Sequence, residues 1–119
     1  METVLDETTL ASLQNAELDI TVHVKSKINV TPFTARQKVN VLLLDKAGTG
    51  LLAESPALVA AGGRLCWRVP VVLALPGHGR LGEVGSIDVD VQTSEILTPP
   101  SVIEAITDNA NQLAQRTTL

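Results

Sequence analysis

The chain has 119 residues, enough for one domain with a hydrophobic core, and its 45% hydrophobic and 18% charged residues exclude a disordered chain. Four of its 13 acidic side chains lie in residues 1–17, where there is no Lys or Arg, so the rest of the chain is neutral. A neutral body with two aromatic residues argues against nucleic-acid binding, and no stretch approaches the roughly 20 apolar residues of a membrane helix.

The single cysteine, Cys66, excludes an internal disulfide and a thiolate metal cluster. It lies in an apolar run, where we expect a small packed side chain. The first residues lack the basic start and apolar stretch of a secretion signal. The sequence therefore predicts a cytoplasmic protein.

The chain begins with an acidic, Thr-rich stretch. We expect a flexible tail over residues 1–16, followed by a single α+β domain over 17–119. Residues 18–30 alternate strictly between apolar and polar types, except at Ser26. This pattern predicts a long strand with one face in the core, and an edge of that length favours pairing with a second copy.

Thr31-Pro32 is typical of a helix start, and Gly48 of a helix end, so we expect a central helix over about 32–47. Its predicted apolar stripe consists of Ala35, Val39, Leu42, Leu43 and Ala47. Residues 51–54 and 58–60 are short strand candidates separated by Pro56.

Residues 64–75 and 83–91 predict two strands of a hairpin whose turn is 76–82. Matching their apolar faces places Val71 opposite Ile87, and the same register places Arg68 opposite Asp90. Pro70 suggests an edge position or a bulge. Pro99-Pro100 opens a C-terminal helix over about 99–115. The predicted fold is α+β: an antiparallel sheet of about four strands packed by the central helix.

The turn spells G-x-G-x-x-G from Gly77 to Gly82, but a strand pattern follows where a dinucleotide site needs a helix. A glycine-rich hairpin loop is the favoured interpretation, and a small anion bound by Gly77, His78, Gly79 and Arg80 is the alternative. Asp88 and Asp90 are two residues apart on one strand, and a solvated sheet face is favoured over a metal pair. No nucleophile–base signature occurs, so we predict no catalytic residue, metal or cofactor.

Three phrases follow one another between residues 31 and 97: Ala35-Arg36 in the helix, Trp67-Arg68-Val69-Pro70-Val71, and Val89-Asp90-Val91-Gln92-Thr93-Ser94-Glu95-Ile96. Their order resembles the PepSY family, whose hairpin reads V-D-x-x-T-G-E-I. Ser94 replaces the glycine of that pattern. The resemblance implies a helix-on-sheet fold and an interaction or inhibitory module without catalysis.

The sequence as a whole favours a non-enzymatic protein-interaction or regulatory module that binds itself as a homodimer or docks on another protein. The alternative is a small-ligand or anion-binding protein, or an enzyme, that uses the 76–82 loop. A third hypothesis is a regulatory partner whose acidic tail binds a basic surface.

Overall fold

The computed structural model describes residues 2–3, 27–46 and 50–118. Its elements are β1 (Glu2–Thr3), α1 (Pro32–Lys46), β2 (Leu51–Ala53), β3 (Ala57–Ala61), β4 (Arg64–Leu75), β5 (Gly79–Asp90) and α2 (Pro100–Thr118). Every strand pairing is antiparallel. The predicted α+β class, with a central and a C-terminal helix, is confirmed.

Helix α1 begins where its capping residues predict. Thr31 Oγ1 accepts the Thr34 N–H at 3.1 Å, and the Thr31 carbonyl accepts the Ala35 N–H at 3.0 Å. The first bond satisfies an amide group that has no partner inside the helix, and the second is the first regular backbone bond of the helix. Pro32 occupies the first helical position, where its lack of an N–H costs nothing.

Strand β4 is the centre of the sheet. One edge of β4 pairs with β5, and the other pairs with β3 along its first half and with β2 along its second. β1 adds to the outer side of β3, where Thr3 lies opposite Ala60. β2 and β3 are therefore two pieces of one line of pairing, interrupted near Pro56.

Pro70 lies in this central strand, so of the two predicted alternatives the edge position is wrong, whereas a register irregularity does occur one residue further on, between Val71 and Val72. Its carbonyl accepts the Glu54 N–H at 2.8 Å, which shows that the backbone of Pro70 faces the β2–β3 side. The break between β2 and β3 lies at the same level. The missing donor of Pro70 thus falls where the neighbouring strand is already interrupted, which is why a central strand tolerates it.

The predicted register of the hairpin is wrong by two residues. Val69, not Val71, lies opposite Ile87, and Arg68 lies opposite Asp88 rather than Asp90. The turn is shorter than expected because β5 already begins at Gly79. The shorter turn alone would shift the register by four residues. Two irregularities, between Val71 and Val72 and between Leu73 and Ala74, reduce this shift to the observed two.

The main core lies between the helices and one face of the sheet. The helices contribute Ala35, Val39 and Leu43 from α1 and Ile106 and Ala110 from α2. The central strand contributes Val69, Val71 and Leu73, all at most 4% exposed, as the alternation predicts. Val59, Cys66 and Val72 are buried on the other face.

The segment before α1 differs from the expected strand. Residues 27–30 are not in a strand; the N–H groups of Asn29 and Val30 both donate to the Val91 carbonyl, at 2.8 and 2.9 Å. Two consecutive amides directed at one oxygen are incompatible with an extended ladder, whose amides alternate. Residues 18–26 of the predicted strand, residues 4–16 of the predicted tail, and Gly48 lie outside the described residues.

Candidate functional site

The predicted loop site lies at the tip of the β4–β5 hairpin. Gly77 and Gly79 have φ values of 80° and 71°, and the His78 N–H donates to the Leu75 carbonyl at 3.0 Å. Positive φ at both glycines is the local reason for this sequence in a tight turn. All four candidate residues, Gly77 to Arg80, are exposed.

Arg80 is engaged by a carboxylate from the neighbouring edge. Its Nε and Nη2 donate to Glu54 Oε2 and Oε1 at 3.0 and 3.1 Å. The hydrogen bonds from Arg80 lower the pKa of Glu54, and those to Glu54 raise the pKa of Arg80. An anion bound at this loop would have to compete with Glu54 for the guanidinium.

The two aspartates of β5 have separate partners. Asp88 accepts two hydrogen bonds of 2.9 Å from the Arg68 guanidinium across the β4–β5 pair. Asp90 is buried and accepts the N–H groups of Gln92 at 2.8 Å and Thr93 at 3.0 Å, with Arg64 Nε at 3.4 Å. Both carboxylates thus serve the hairpin structure.

Cys66 and the side chains that could bind a metal are the remaining candidates among the described residues. Cys66 is 3% exposed in β4, as expected for a packed thiol. Within residues 27–46 and 50–118, no three His, Cys, Asp or Glu side chains are placed to hold a metal ion.

The outer face of α1 is the feature that the sequence interpretation missed. Phe33, Val41 and Leu44 are 67%, 67% and 69% exposed, although the opposite side of the same helix is core. At 100° per residue these three side chains fall within about 80° of one another. The signal was present in the sequence as three large apolar residues outside the predicted stripe.

A concave surface lies between the two helices. It is a groove of about 540 Å³ lined by Leu42, Ile96, Thr98, Pro100, Ile103, Glu104 and Thr107. Leu42, Ile96 and Ile103 are half-buried because they also pack against the core. The groove is therefore the seam between α1 and α2.

Comparison with known proteins adds no relative to this description. No protein-family model, curated protein or solved structure matches the chain. Among the described residues, neither α1 nor α2 has the combination of length and apolar character needed to span a bilayer. The functional argument therefore rests on the surfaces described above.

Proposed function

We propose that this chain is a non-enzymatic protein-interaction module that self-associates through the outer face of α1. The observation that carries the proposal is the exposure of Phe33, Val41 and Leu44, each about two-thirds exposed, on a helix whose opposite side lies in the core. Three large apolar side chains on one exposed helix face are typical of an interaction surface. No charged side chain lies between them on that face.

The occupant that suits this face is a second copy of the chain. Phe33 and Leu44 lie eleven residues apart, about three helical turns, so both fall on one side of the helix, and Val41 lies beside Leu44. In an antiparallel pair, Phe33 of one copy lies level with Leu44 of the other. In this closed, two-fold arrangement the same apolar face of each copy is covered by the other.

Charge is compatible with this pairing. The charged side chains of α1 nearest the face are Arg36, Lys38 and Asp45. In the same antiparallel pair they lie level with Val41, Val39 and Pro32 of the other copy. The two Lys38 side chains lie on the same side of the pair, about one residue apart along it, but each Lys38 Nζ donates to Ser94 Oγ of its own chain at 3.3 Å. Arg36 is also held by its own chain, because its Nε donates to the Ala53 carbonyl at 2.9 Å.

The size of the face sets the expected affinity. A helix of 15 residues is about 22 Å long. One helix-to-helix contact buries less than the roughly 800 Å² per partner of a standard stable interface. We therefore expect a weak, concentration-dependent homodimer, with a dissociation constant of about 10 μM or higher.

The proposal includes a cytoplasmic location and a PepSY-like relationship. A single buried cysteine suits a reducing compartment. Two features support the relationship: the Asp90 side chain caps the hairpin turn, and Ser94 has a φ of 63°, the conformation that the glycine of the family pattern adopts most easily. Both features concern the fold and carry no activity.

Sedimentation equilibrium over a range of concentrations tests the self-association. We expect the weight-average mass to rise with concentration for the natural chain and to stay monomeric for Leu44→Glu, which places a charge in the apolar contact, level with Phe33 of the other copy. Asn111→Glu, an exposed position on α2, is the matched control and should associate normally. Circular dichroism melts confirm that each variant is folded.

Two results would overturn the proposal. One is a natural chain that remains monomeric at the highest concentration reached. The other is a dimer that Leu44→Glu weakens no more than Asn111→Glu does, because the dimer would then use another surface.

A further inference from the structure

Two side-chain amides lie on the outer face of α1, among its exposed apolar side chains. At 100° per residue, Gln37 falls between Phe33 and Val41, and Asn40 falls about 20° beyond Phe33. Both amides line a shallow concave surface of about 590 Å³ on this helix. A partner that covers the apolar face therefore covers these amides as well.

The chain itself fixes the orientation of the Asn40 amide. The Ala53 N–H donates at 2.9 Å to Asn40, and because only the oxygen of the amide can accept this bond, Oδ1 is directed to the edge of β2. The Nδ2 group of this half-buried residue is the end that remains to donate. Among the described residues, no hydrogen bond is made by Asn40 Nδ2 or by the side chain of Gln37.

The antiparallel pair brings the two kinds of amide together. When Phe33 is level with Leu44 of the other copy, moving four residues inward on each helix places Gln37 level with Asn40 of the other copy. The two-fold axis produces this juxtaposition twice. Gln37 Oε1 then accepts from Asn40 Nδ2 of the other copy, while the Asn40 oxygen stays on Ala53 of its own chain.

A parallel pair satisfies the amides less well. There Asn40 is level with Asn40 of the other copy, and the two Nδ2 donors meet without an acceptor, because each oxygen is directed to its own Ala53. A covered donor without an acceptor destabilises a complex. An apolar helix of another protein would leave the same donor unpaired.

We propose that Gln37 and Asn40 select the antiparallel homodimer, through two symmetry-related hydrogen bonds from Asn40 Nδ2 to Gln37 Oε1 of the other copy. This inference rests on the self-association proposed above and adds which orientation and which partner the face accepts. The apolar side chains supply the affinity. The amides discriminate against pairings that leave them without a partner, as a polar residue within a helix pair does in general.

Gln37→Met tests the acceptor. Methionine has the length of glutamine but no side-chain oxygen, so Asn40 Nδ2 of the other copy loses its partner. In sedimentation equilibrium we expect the dissociation constant of the dimer to rise by about fivefold or more. Gln112→Met is the matched control: Gln112 is exposed on α2, and this variant should associate as the natural chain does.

A charge pair tests the orientation. Asn40→Asp keeps an oxygen for the Ala53 N–H, and Gln37→Lys places an ammonium group level with that carboxylate in the antiparallel pair. We expect Gln37→Lys alone to weaken the dimer by about tenfold or more, because its ammonium group meets the Asn40 donor. The double variant should return to within about threefold of the natural dissociation constant. In a parallel pair the two ammonium groups would meet each other, and so would the two carboxylates.

Two results would overturn the amide pairing and leave the self-association in place. One is a Gln37→Met dimer as tight as that of Gln112→Met, and the other is a double variant that associates no better than Gln37→Lys alone. A natural chain that stays monomeric would instead overturn the self-association, and the amide pairing with it.

Discussion

Asp90 is a buried carboxylate whose charge is compensated mainly by backbone amides. Hydrogen bonds from the Gln92 and Thr93 N–H groups, followed by the charge of Arg64, hold the pKa of Asp90 below its usual range, against the opposing effect of burial. The carboxylate thereby fixes the turn that follows β5. Its ionisation is coupled to the stability of that turn.

This coupling predicts a pH dependence. Because the pKa is lowered in the folded state, the charged form adds stability above the unfolded pKa of about 3.9, and that stability is lost as the pH falls through the folded-state pKa. We expect Asp90→Asn to lower the free energy of unfolding by about 1–2 kcal/mol at neutral pH, and the difference from the natural chain to shrink below about pH 4. Urea unfolding at both pH values measures it.

Asp108→Asn is the matched control, since Asp108 is exposed on α2 and loses the same charge. We expect a change within about 0.5 kcal/mol for this control at neutral pH. An Asp90→Asn difference that does not shrink in acid would contradict the coupling and assign its effect to packing alone.

Ser94 is the one non-glycine residue with a positive φ, 63°, in the described part of the chain. A left-handed conformation costs an L-residue about 1–2 kcal/mol, and part of this is offset because glycine has a more flexible unfolded chain. We predict that Ser94→Gly raises the free energy of unfolding by about 0.5–1 kcal/mol. Thermal and urea unfolding measure the change.

Ser55→Gly serves as the comparison, because Ser55 is exposed and has no positive φ. It should leave stability unchanged or lower it slightly through the added freedom of the unfolded chain. Equal effects of the two substitutions would mean that the turn relaxes without strain at Ser94.

The close contact of α2 with β5 depends on Gly85, which has no side chain. A Cβ at Gly85 would lie 2.5 Å from Ile106 Cγ1, whereas a Cβ at Gly82 would lie at an ordinary 3.6 Å from Leu113 Cδ2. Cγ1 is bonded directly to the branched Cβ of a buried isoleucine, so it cannot move away as the end of a long side chain can. Gly85 therefore sets the distance between strand and helix.

We predict that Gly85→Ala lowers the free energy of unfolding by about 1–3 kcal/mol, because the added methyl group displaces Ile106 and because alanine rarely adopts the φ of 155° found at Gly85. Gly82→Ala is the matched control and should cost less than about 1 kcal/mol. Urea unfolding of both variants measures the costs. Equal values would contradict the assignment of the strand–helix distance to Gly85.

Elements that are marked by capping residues or by a local apolar pattern could be predicted from the sequence. Thr31 and Pro32 place the start of α1, and alternation places the core face of β4, since both signals depend on neighbours in sequence. The place of Pro70 in a central strand could not be predicted, for the opposite reason. The energetic cost of a proline in a strand depends on the neighbouring strand. The break beside Pro56 is in that neighbour, which the apolar periodicity around Pro70 does not reveal.

For the molecule as a whole, the α+β class could be predicted but the register of its main hairpin could not. Every apolar residue stays on its face when the register shifts by two, so the pattern cannot distinguish Val69 from Val71 as the partner of Ile87. The shorter turn and the two irregularities decide the register. They depend on backbone geometry around Gly79 and Gly82.

For the candidate surfaces too, local features could be predicted from the sequence and long-range ones could not. The loop at Gly77–Arg80 was visible as a motif, but the pairing of Arg80 with Glu54 arises from strands that are distant in sequence. Phe33, Val41 and Leu44 could have been recognised, since helical spacing alone places them opposite the buried stripe.

Side chains of α1 occupy hydrogen-bonding positions on the outer edge of β2, and this has a consequence for polymerisation. Ala53 directs its backbone away from β4, where Asn40 Oδ1 accepts its N–H and Arg36 donates to its carbonyl, both at 2.9 Å. A strand of another molecule finds no open hydrogen bond at this point, and residues 95–98 block the end of β5 similarly. Copies that meet at these positions cannot continue the sheet from molecule to molecule, so the chain resists growth into fibres there.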